Sequence, residues 1–309
     1  MKFMLLAAGV LACVPFFAAL KERPAVAELD LESKAAILLD LGTGEVLYEK
    51  NANEPLPPAS MSKMMTELLV LDMVNEGKLA WNEQVAASDY AAGVPGSRIG
   101  FAEGDVFTVR ELFEATAIHS ANDAAVALAE HIGGSERAFV KLMNGRAQKI
   151  GLSENAVFGN ATGLAREDLL PYQAAASDRD TMLSAKDTAM LAAYLLRKYP
   201  EVLEVSKRKN VELASASKKL NSTNLMLSGN TYAFPGNDGL KTGYTVQAGY
   251  CFTGTAKQEG RRLVSVVMGS SEPGQRFAET GELFQYGFRT NGLDGLIGHI
   301  QGRLGIENG

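Results

Sequence analysis

Cysteine is nearly absent from this chain of 309 residues, where Cys13 and Cys251 are the only two. A disulfide-stapled scaffold is thereby excluded. The three histidines, His119, His131 and His299, are scattered and stand in no metal-ligand spacing with cysteine or carboxylate. Positive charge is not in excess either. Lys and Arg number 30 against 36 Asp and Glu, a formal net charge of −6, and no basic patch interleaved with aromatics points to nucleic acid. Beyond Leu20 no apolar run is long enough to span a bilayer. Internal repeats and low-complexity linkers are missing as well. What remains is the composition of an ordinary globular protein, 46% hydrophobic and 21% charged. The length suits one large domain or two of common size.

Charge and apolarity are arranged distinctively only at the start. Lys2 precedes an almost wholly apolar stretch from Phe3 to Leu20, and Ala25-Val26-Ala27 offers a small-x-small cleavage site. The pattern predicts a signal peptide over 1–27 and an exported protein. Alternatives are a retained anchor, since the stretch is long enough to span, and lipidation at Cys13, for which Val10-Leu11-Ala12 is an indifferent match. Cleavage would remove three cations and one anion, leaving 27 basic against 35 acidic side chains. Cys251 would then be alone, in the apolar run Tyr250-Cys251-Phe252 that suits a buried thiol.

Ala35–Asp40 and Glu45–Glu49 read as a β-hairpin across Leu41-Gly42-Thr43-Gly44. After Pro55, Pro57 and Pro58, apolar positions at near-helical spacing predict a helix over 60–76. Further helices are predicted at 108–118, 122–132, 135–150 and 185–198, with Thr108, Asn122, Ser135 and Ser184 as N-caps. Three strands follow at 240–245, 249–256 and 261–269, then a helix at 275–288. Strands at both ends with helices between them predict one α+β domain, its antiparallel sheet closed by the two ends of the chain. The domain is expected to span 28–290, with a short tail over 291–309. That tail is Gly-rich, and its one helical apolar face carries only Arg303 as a fixed cation, which argues against a tight membrane anchor.

Ser60-Met61-Ser62-Lys63 sets a serine and a lysine three positions apart at a helix start, hence on one face. A lysine there can accept the hydroxyl proton only if burial or a second cation lowers its pKa by about 3 units. The helix N-terminus favours negative charge developing at Ser60. The spacing alone is common, since S-x-x-K recurs at Ser206 and Ser215, and S-x-N occurs at Ser120, Ser153, Ser222 and Ser228. Lys241-Thr242-Gly243 is found once. Order and setting add specificity, because Ser120-Ala121-Asn122 falls between two predicted helices and Lys241-Thr242-Gly243 in a predicted strand. S-x-x-K, S-x-N and K-T-G together form the motif set of penicillin-binding proteins and class A β-lactamases.

With Pro58–Thr66, His119–Ala125, Asn160-Ala161-Thr162-Gly163-Leu164, Gly239–Gly243 and Arg276 through Phe288, the chain resembles the low-molecular-mass penicillin-binding proteins, the serine-type D-Ala-D-Ala carboxypeptidases. The resemblance covers about residues 33–290. It implies a β-lactamase/transpeptidase-like fold with a mainly helical subdomain, and no cofactor. Peptidoglycan stem peptides ending in D-Ala-D-Ala would be the substrate and β-lactams covalent inhibitors. Ser60 would be the nucleophile, Lys63 its base, and Ser120 a proton relay to the leaving amine. Asn122 would hold a substrate amide, Lys241 the electrostatic environment, and Thr242 and Gly243 the strand that binds the terminal carboxylate. Backbone N–H groups of Ser60 and Tyr244 would form the oxyanion hole. Arg276 is either a further carboxylate contact or a surface arginine of the last helix. His119 reads as a packing neighbour, and Asp123 as an early-turn acid supporting its helix. Family members commonly continue into a β-rich second domain and a C-terminal anchor, whereas barely twenty residues follow here. Cross-link cleavage, a β-lactamase and an inactive wall-binding module are the competing readings. Against the β-lactamase stands Glu167, which is followed by Pro171 where an E-x-x-x-N pattern requires asparagine.

Overall fold

The computed structural model describes residues 29–290. The predicted signal peptide and the 291–309 tail lie outside the described residues. The N-terminal hairpin is β1 (Ala35–Asp40) and β2 (Val46–Lys50). A 3-10 turn, Ala59–Ser62, leads into α1 (Lys63–Asn75). Next come β3 (Gln84–Ala86), α2 (Asp89–Gly93), β4 (Val106–Thr108), α3 (Val109–His119), α4 (Asn122–Gly133) and α5 (Glu136–Lys149). They are followed by α6 (Arg166–Leu169), α7 (Ala185–Lys198), α8 (Val202–Ser206), β5 (Asn210–Leu213) and β6 (Lys218–Asn221). Strands β7 (Asn237–Thr245), β8 (Gly249–Gln258) and β9 (Arg261–Ser270) and helix α9 (Gln275–Thr290) complete the domain.

The main sheet is antiparallel, in the order β2-β1-β9-β8-β7, so the chain's two ends meet at the β1–β9 pair. Alternation along these strands divides the core. Ala35, Ile37 and Leu39 of β1, with Val264, Val266 and Met268 of β9, face the helical layer. Ala36, Leu38, Leu263 and Val267 face the other way, onto Phe277, Leu283 and Phe284 of α9. A sheet covered on both faces accounts for the nearly continuous apolar runs of β8 and β9.

The long predicted elements are all present, and the differences have physical causes. The helix expected from Ser60 begins at Lys63, because Ala59 takes a left-handed backbone (φ 49°) and the following turn winds as 3-10. Residues 61–72 are buried on every side rather than along one stripe, which makes α1 the central helix. Thr108, Ser135 and Ser184 cap their helices as expected, with Glu111 and Asp187 completing capping boxes. Asn122 does not cap. Ala121 holds the N-cap position of α4, and the Asn122 amide is turned elsewhere. The short strands β3–β6 and the short helices α2, α6 and α8 give no usable periodicity and were not predicted.

Asp72, 2% exposed, ties α1 to its neighbours. Its Oδ1 accepts from Lys198 Nζ and the Tyr199 hydroxyl, both at 2.7 Å, and Arg146 of α5 lies 2.5 Å from Oδ2. Removing the acid leaves two cations facing a buried gap, discounted here for their partial exposure. Asp72→Ala is expected to cost roughly 2–4 kcal/mol in urea unfolding; a loss below about 0.5 kcal/mol would refute the clamp.

Candidate active site

The Ser60 turn is held between two glycines. On one side Gly163, at φ 79°, lies so close that a Cβ would sit 2.0 Å from Ala59 O and 2.5 Å from Ser62 Oγ. On the other, a Cβ on Gly243 of β7 would meet Pro58 O at 2.6 Å and Ser60 N at 3.2 Å. Only glycine allows this approach, and it brings the Ser60 N–H alongside the edge strand of the sheet. Ser60 itself is half-buried.

Lys63, one turn on, is fully buried. Its Nζ lies 2.8 Å from Ser60 Oγ, 2.6 Å from Asn122 Oδ1 and 2.8 Å from Thr162 O. The last two atoms can only accept. A neutral amine therefore gives its two N–H groups to them and turns its lone pair to the Ser60 hydroxyl. Asn122 is fixed in turn by donating from Nδ2 to Pro95 O at 2.6 Å. Asn160 Oδ1 accepts from Thr162 N, Thr162 Oγ1 and Gly163 N, which shapes the loop that presents Thr162 O.

Ser120 ends α3 in a left-handed conformation (φ 63°) and is buried. Its Oγ is 2.7 Å from Nζ of Lys241 on β7. Thr242 Oγ1 donates or accepts at 2.6 Å with Thr223 Oγ1. Arg276 is no free surface arginine. Its Nη1 donates to Gly243 O at 2.8 Å and Cys251 O at 3.3 Å, and its guanidinium stacks on Tyr250 and Phe277. Tyr244 is 50% exposed, its ring against Tyr250. Ser60, Lys63, Ser120, Asn122, Lys241, Thr242 and Gly243 thus converge from three separate chain segments.

Burial, and after it the charge of Lys241, drives the Lys63 amine well below the usual lysine range, while Glu67 and Asp123 pull upward. Burial also lowers Lys241, to about 8, opposed by Glu67. Burial thus weakens the hold of both lysines on their protons. Asp123 is raised by burial against three backbone N–H groups, those of Gly100, Ile99 and Ala124. It supports the helix start as expected and also pins the 99–100 loop. His119 contacts Asn221 O, outside the cluster. Glu167 is exposed on the single turn α6 rather than in a loop.

Four groups escaped the sequence reading. Thr162 lies in the Asn160–Leu164 motif, but its role is a main-chain carbonyl that no residue type advertises, and Thr223 is one hydroxyl in a loop that leaves no pattern. Glu136, buried on α5, accepts from Ala161 N, Ala176 N and the Tyr90 hydroxyl and so braces the Thr162 loop. Glu67 left a signal, an acid four residues after Lys63 in an apolar run. Gly163→Ala would force a Cβ against Ala59 O at a left-handed backbone position and should cost roughly 1–3 kcal/mol in urea unfolding; an unchanged stability would refute the tight turn.

A family model described as D-alanyl-D-alanine carboxypeptidase matches residues 21–272. The D-alanyl-D-alanine carboxypeptidase DacF of Bacillus subtilis is 40% identical over 264 residues, 84% of this chain and 63% of that protein. DacC of Escherichia coli is 36% identical, over 84% of this chain and 62% of that protein. The chain therefore spans less than two thirds of the length of these relatives. Among solved structures, penicillin-binding protein D2 of Listeria monocytogenes, with ampicillin bound, superposes with a TM-score of 0.72 at 35% identity, covering 85% of this chain and 100% of the other. PBP3 of Streptococcus pneumoniae, a peptidoglycan synthesis regulatory factor, gives 0.79 at 37%, covering 84% and 74%. The fold is that of these penicillin-binding proteins, as the motifs implied. With the model match running through all three motifs, the chain belongs to the D-alanyl-D-alanine carboxypeptidase family, peptidase family S11.

Proposed function

We propose that this chain is a serine DD-carboxypeptidase that removes the terminal D-Ala from peptidoglycan stem peptides. The observation that carries the reading is the Lys63 amine, buried 2.8 Å from Ser60 Oγ with both other hydrogen-bonding directions taken by acceptors. Ser60 Oγ attacks the carbonyl of the penultimate D-Ala as its proton passes to Lys63 Nζ. An ordinary lysine would hold its proton at pH 7; a shift of about 3 units corresponds to roughly 4 kcal/mol, and the burial of Lys63 acts in that direction.

The remaining roles follow from position. The N–H groups of Ser60 and Tyr244 receive the developing oxyanion, their backbones brought together by Gly243. Ser120, bonded to the Lys241 ammonium, relays to the departing amine the proton that Lys63 took from Ser60, which leaves Ser120 unchanged and Lys63 neutral again. β7 is an edge strand, so a peptide can pair along it. Its terminal carboxylate would then meet Thr242, with Lys241 and Arg276 supplying positive charge. Asn122, already turned toward Lys63, would hold a substrate amide. Water would hydrolyse the acyl-enzyme, releasing the shortened peptide and restoring Ser60.

A β-lactam would enter the same path, a reading supported by the Listeria protein, whose structure holds bound ampicillin. Glu167, the candidate for a deacylating base, is exposed and lacks its asparagine partner. The penicilloyl ester should therefore persist. Peptidoglycan as substrate puts the site of action outside the cytoplasm, in the periplasm or on the wall side of the membrane, in keeping with the predicted leader. Among the described residues no helix is long and apolar enough to cross a membrane.

Incubation with muropeptides should release single D-Ala residues by mass; cleavage of cross-links in preference would move the assignment to an endopeptidase. Penicillin should add covalently at Ser60, as mapped on the digested protein. Lys63→Ala should slow that step by about 10²–10⁴-fold, and a rate near that of the parent would mean another base acts. Loss of the adduct should be slower than peptide turnover by a barrier of about 4 kcal/mol or more. Rapid multiple turnover of penicillin, abolished by Glu167→Gln, would make the protein a β-lactamase.

A further inference from the structure

Glu67 lies one helical turn beyond Lys63 on α1, at the i+4 position that shares its face. It is 3% exposed, and its Oε1 is buried without a hydrogen-bond partner. Burying a carboxyl in this way is costly unless an opposite charge compensates it. Glu67 interacts electrostatically with Lys63 on its own helix and with Lys241 on β7. Other charges around the pair are Asp123 from α4, which acts on Lys63, and Arg276 from α9, which acts on Lys241. Several charged groups of the remaining helices around α1 have partners elsewhere. Glu114 of α3 pairs with Arg208, Glu111 holds Thr108 and Ser215, and Arg110 stacks on Trp81. His119, at the end of α3, contacts Asn221 O. On α5, Glu136 holds two backbone N–H groups and Arg146 meets Asp72; on α7, Asp187 holds Ser184 and Lys198 meets Asp72.

We propose that Glu67 is a positioning residue of the acylation step, the buried counter-charge that keeps Lys241 an ammonium beside an unprotonated Lys63. Two lysines packed this closely would each expel the other's proton, and a site with both neutral has a base but no cation at Ser120. One carboxylate within reach of both favours a single retained proton. Lys63 is drawn well below the lysine range and Lys241 only to about 8, which places that proton on Lys241. With its own pKa raised to about 7, Glu67 becomes charged in the range where Lys241 would otherwise begin to lose its proton. The inference rests on the proposed acylation of Ser60 and adds a residue that touches neither the substrate nor the serine.

The test is the pH profile of Ser60 acylation by a fluorescent penicillin, for the whole protein and for Glu67→Gln. The parent should show an acid limb set by Lys63 and an alkaline limb near pH 8 set by Lys241. Removing a negative charge lowers Lys241, so the alkaline limb should move to lower pH by about one unit or more. A purely structural role would lower the rate at all pH values and leave the limbs where they are, which would overturn the proposal. Glu67→Met, of similar length and without a buried amide, repeats the test should the glutamine variant fail to fold. Absence of any adduct on the parent defeats the acylation reading and this inference together; an adduct with unmoved limbs defeats this inference only.

Discussion

Two lysine side chains buried where the helical layer meets the sheet edge constrain everything around them. Neither Lys63 nor Lys241 has water to hold its charge, so each depends on partners fixed in advance. Lys63 requires Asn122 and the Thr162 carbonyl, which come from the start of α4 and from a loop a hundred residues further along. Lys241 requires Ser120, at the left-handed end of α3. The turn between α3 and α4, the Asn160–Leu164 loop and strand β7 thus have to arrive together for the lysines to be tolerated at all. The arrangement that makes a lysine basic is also the one that assembles the site.

Other buried polar groups support this junction at one remove. Asp72 sets the far end of α1 against α5 and α7, while Glu136 braces the loop behind Thr162. Both act on backbone position and not on the reacting atoms. Placing them on rigid helices keeps the half-exposed serine in register with its fully enclosed base, which is what preorganised acyl-transfer chemistry demands.

Local patterns in the sequence conveyed much of this and stopped where long-range closeness began. Ser60 and Lys63 were legible because i, i+3 spacing is a property of one helix. Lys241-Thr242-Gly243 stood out through its strand setting. The strands at both ends of the chain pointed to the sheet they form. Asn122 was misread as a cap because capping preference is local, whereas the pull of a lysine 59 positions away is not. Arg276 stayed undecided because its acceptors, Gly243 O and Cys251 O, are main-chain atoms that no residue type advertises. The need for glycine at 163 and 243 came into view only with the opposing backbone of the Ser60 turn in place.

The β1–β9 pairing carries a consequence for how such a protein comes into being. Ala35 lies opposite Met268, so the middle of the sheet joins residues more than two hundred positions apart. Closing so large a loop is a slow, high-contact-order event. A chain growing from its N-terminus carries Ser60 and its amine long before β7, β8 and β9 exist. Until those strands dock, the hairpin of β1 and β2 has an unpaired edge and α1 has no sheet beneath it, a state open to aggregation and proteolysis. Completion of the Ser60 site is therefore coupled to completion of the polypeptide, and a prematurely terminated chain carries the serine without the strand that closes on it.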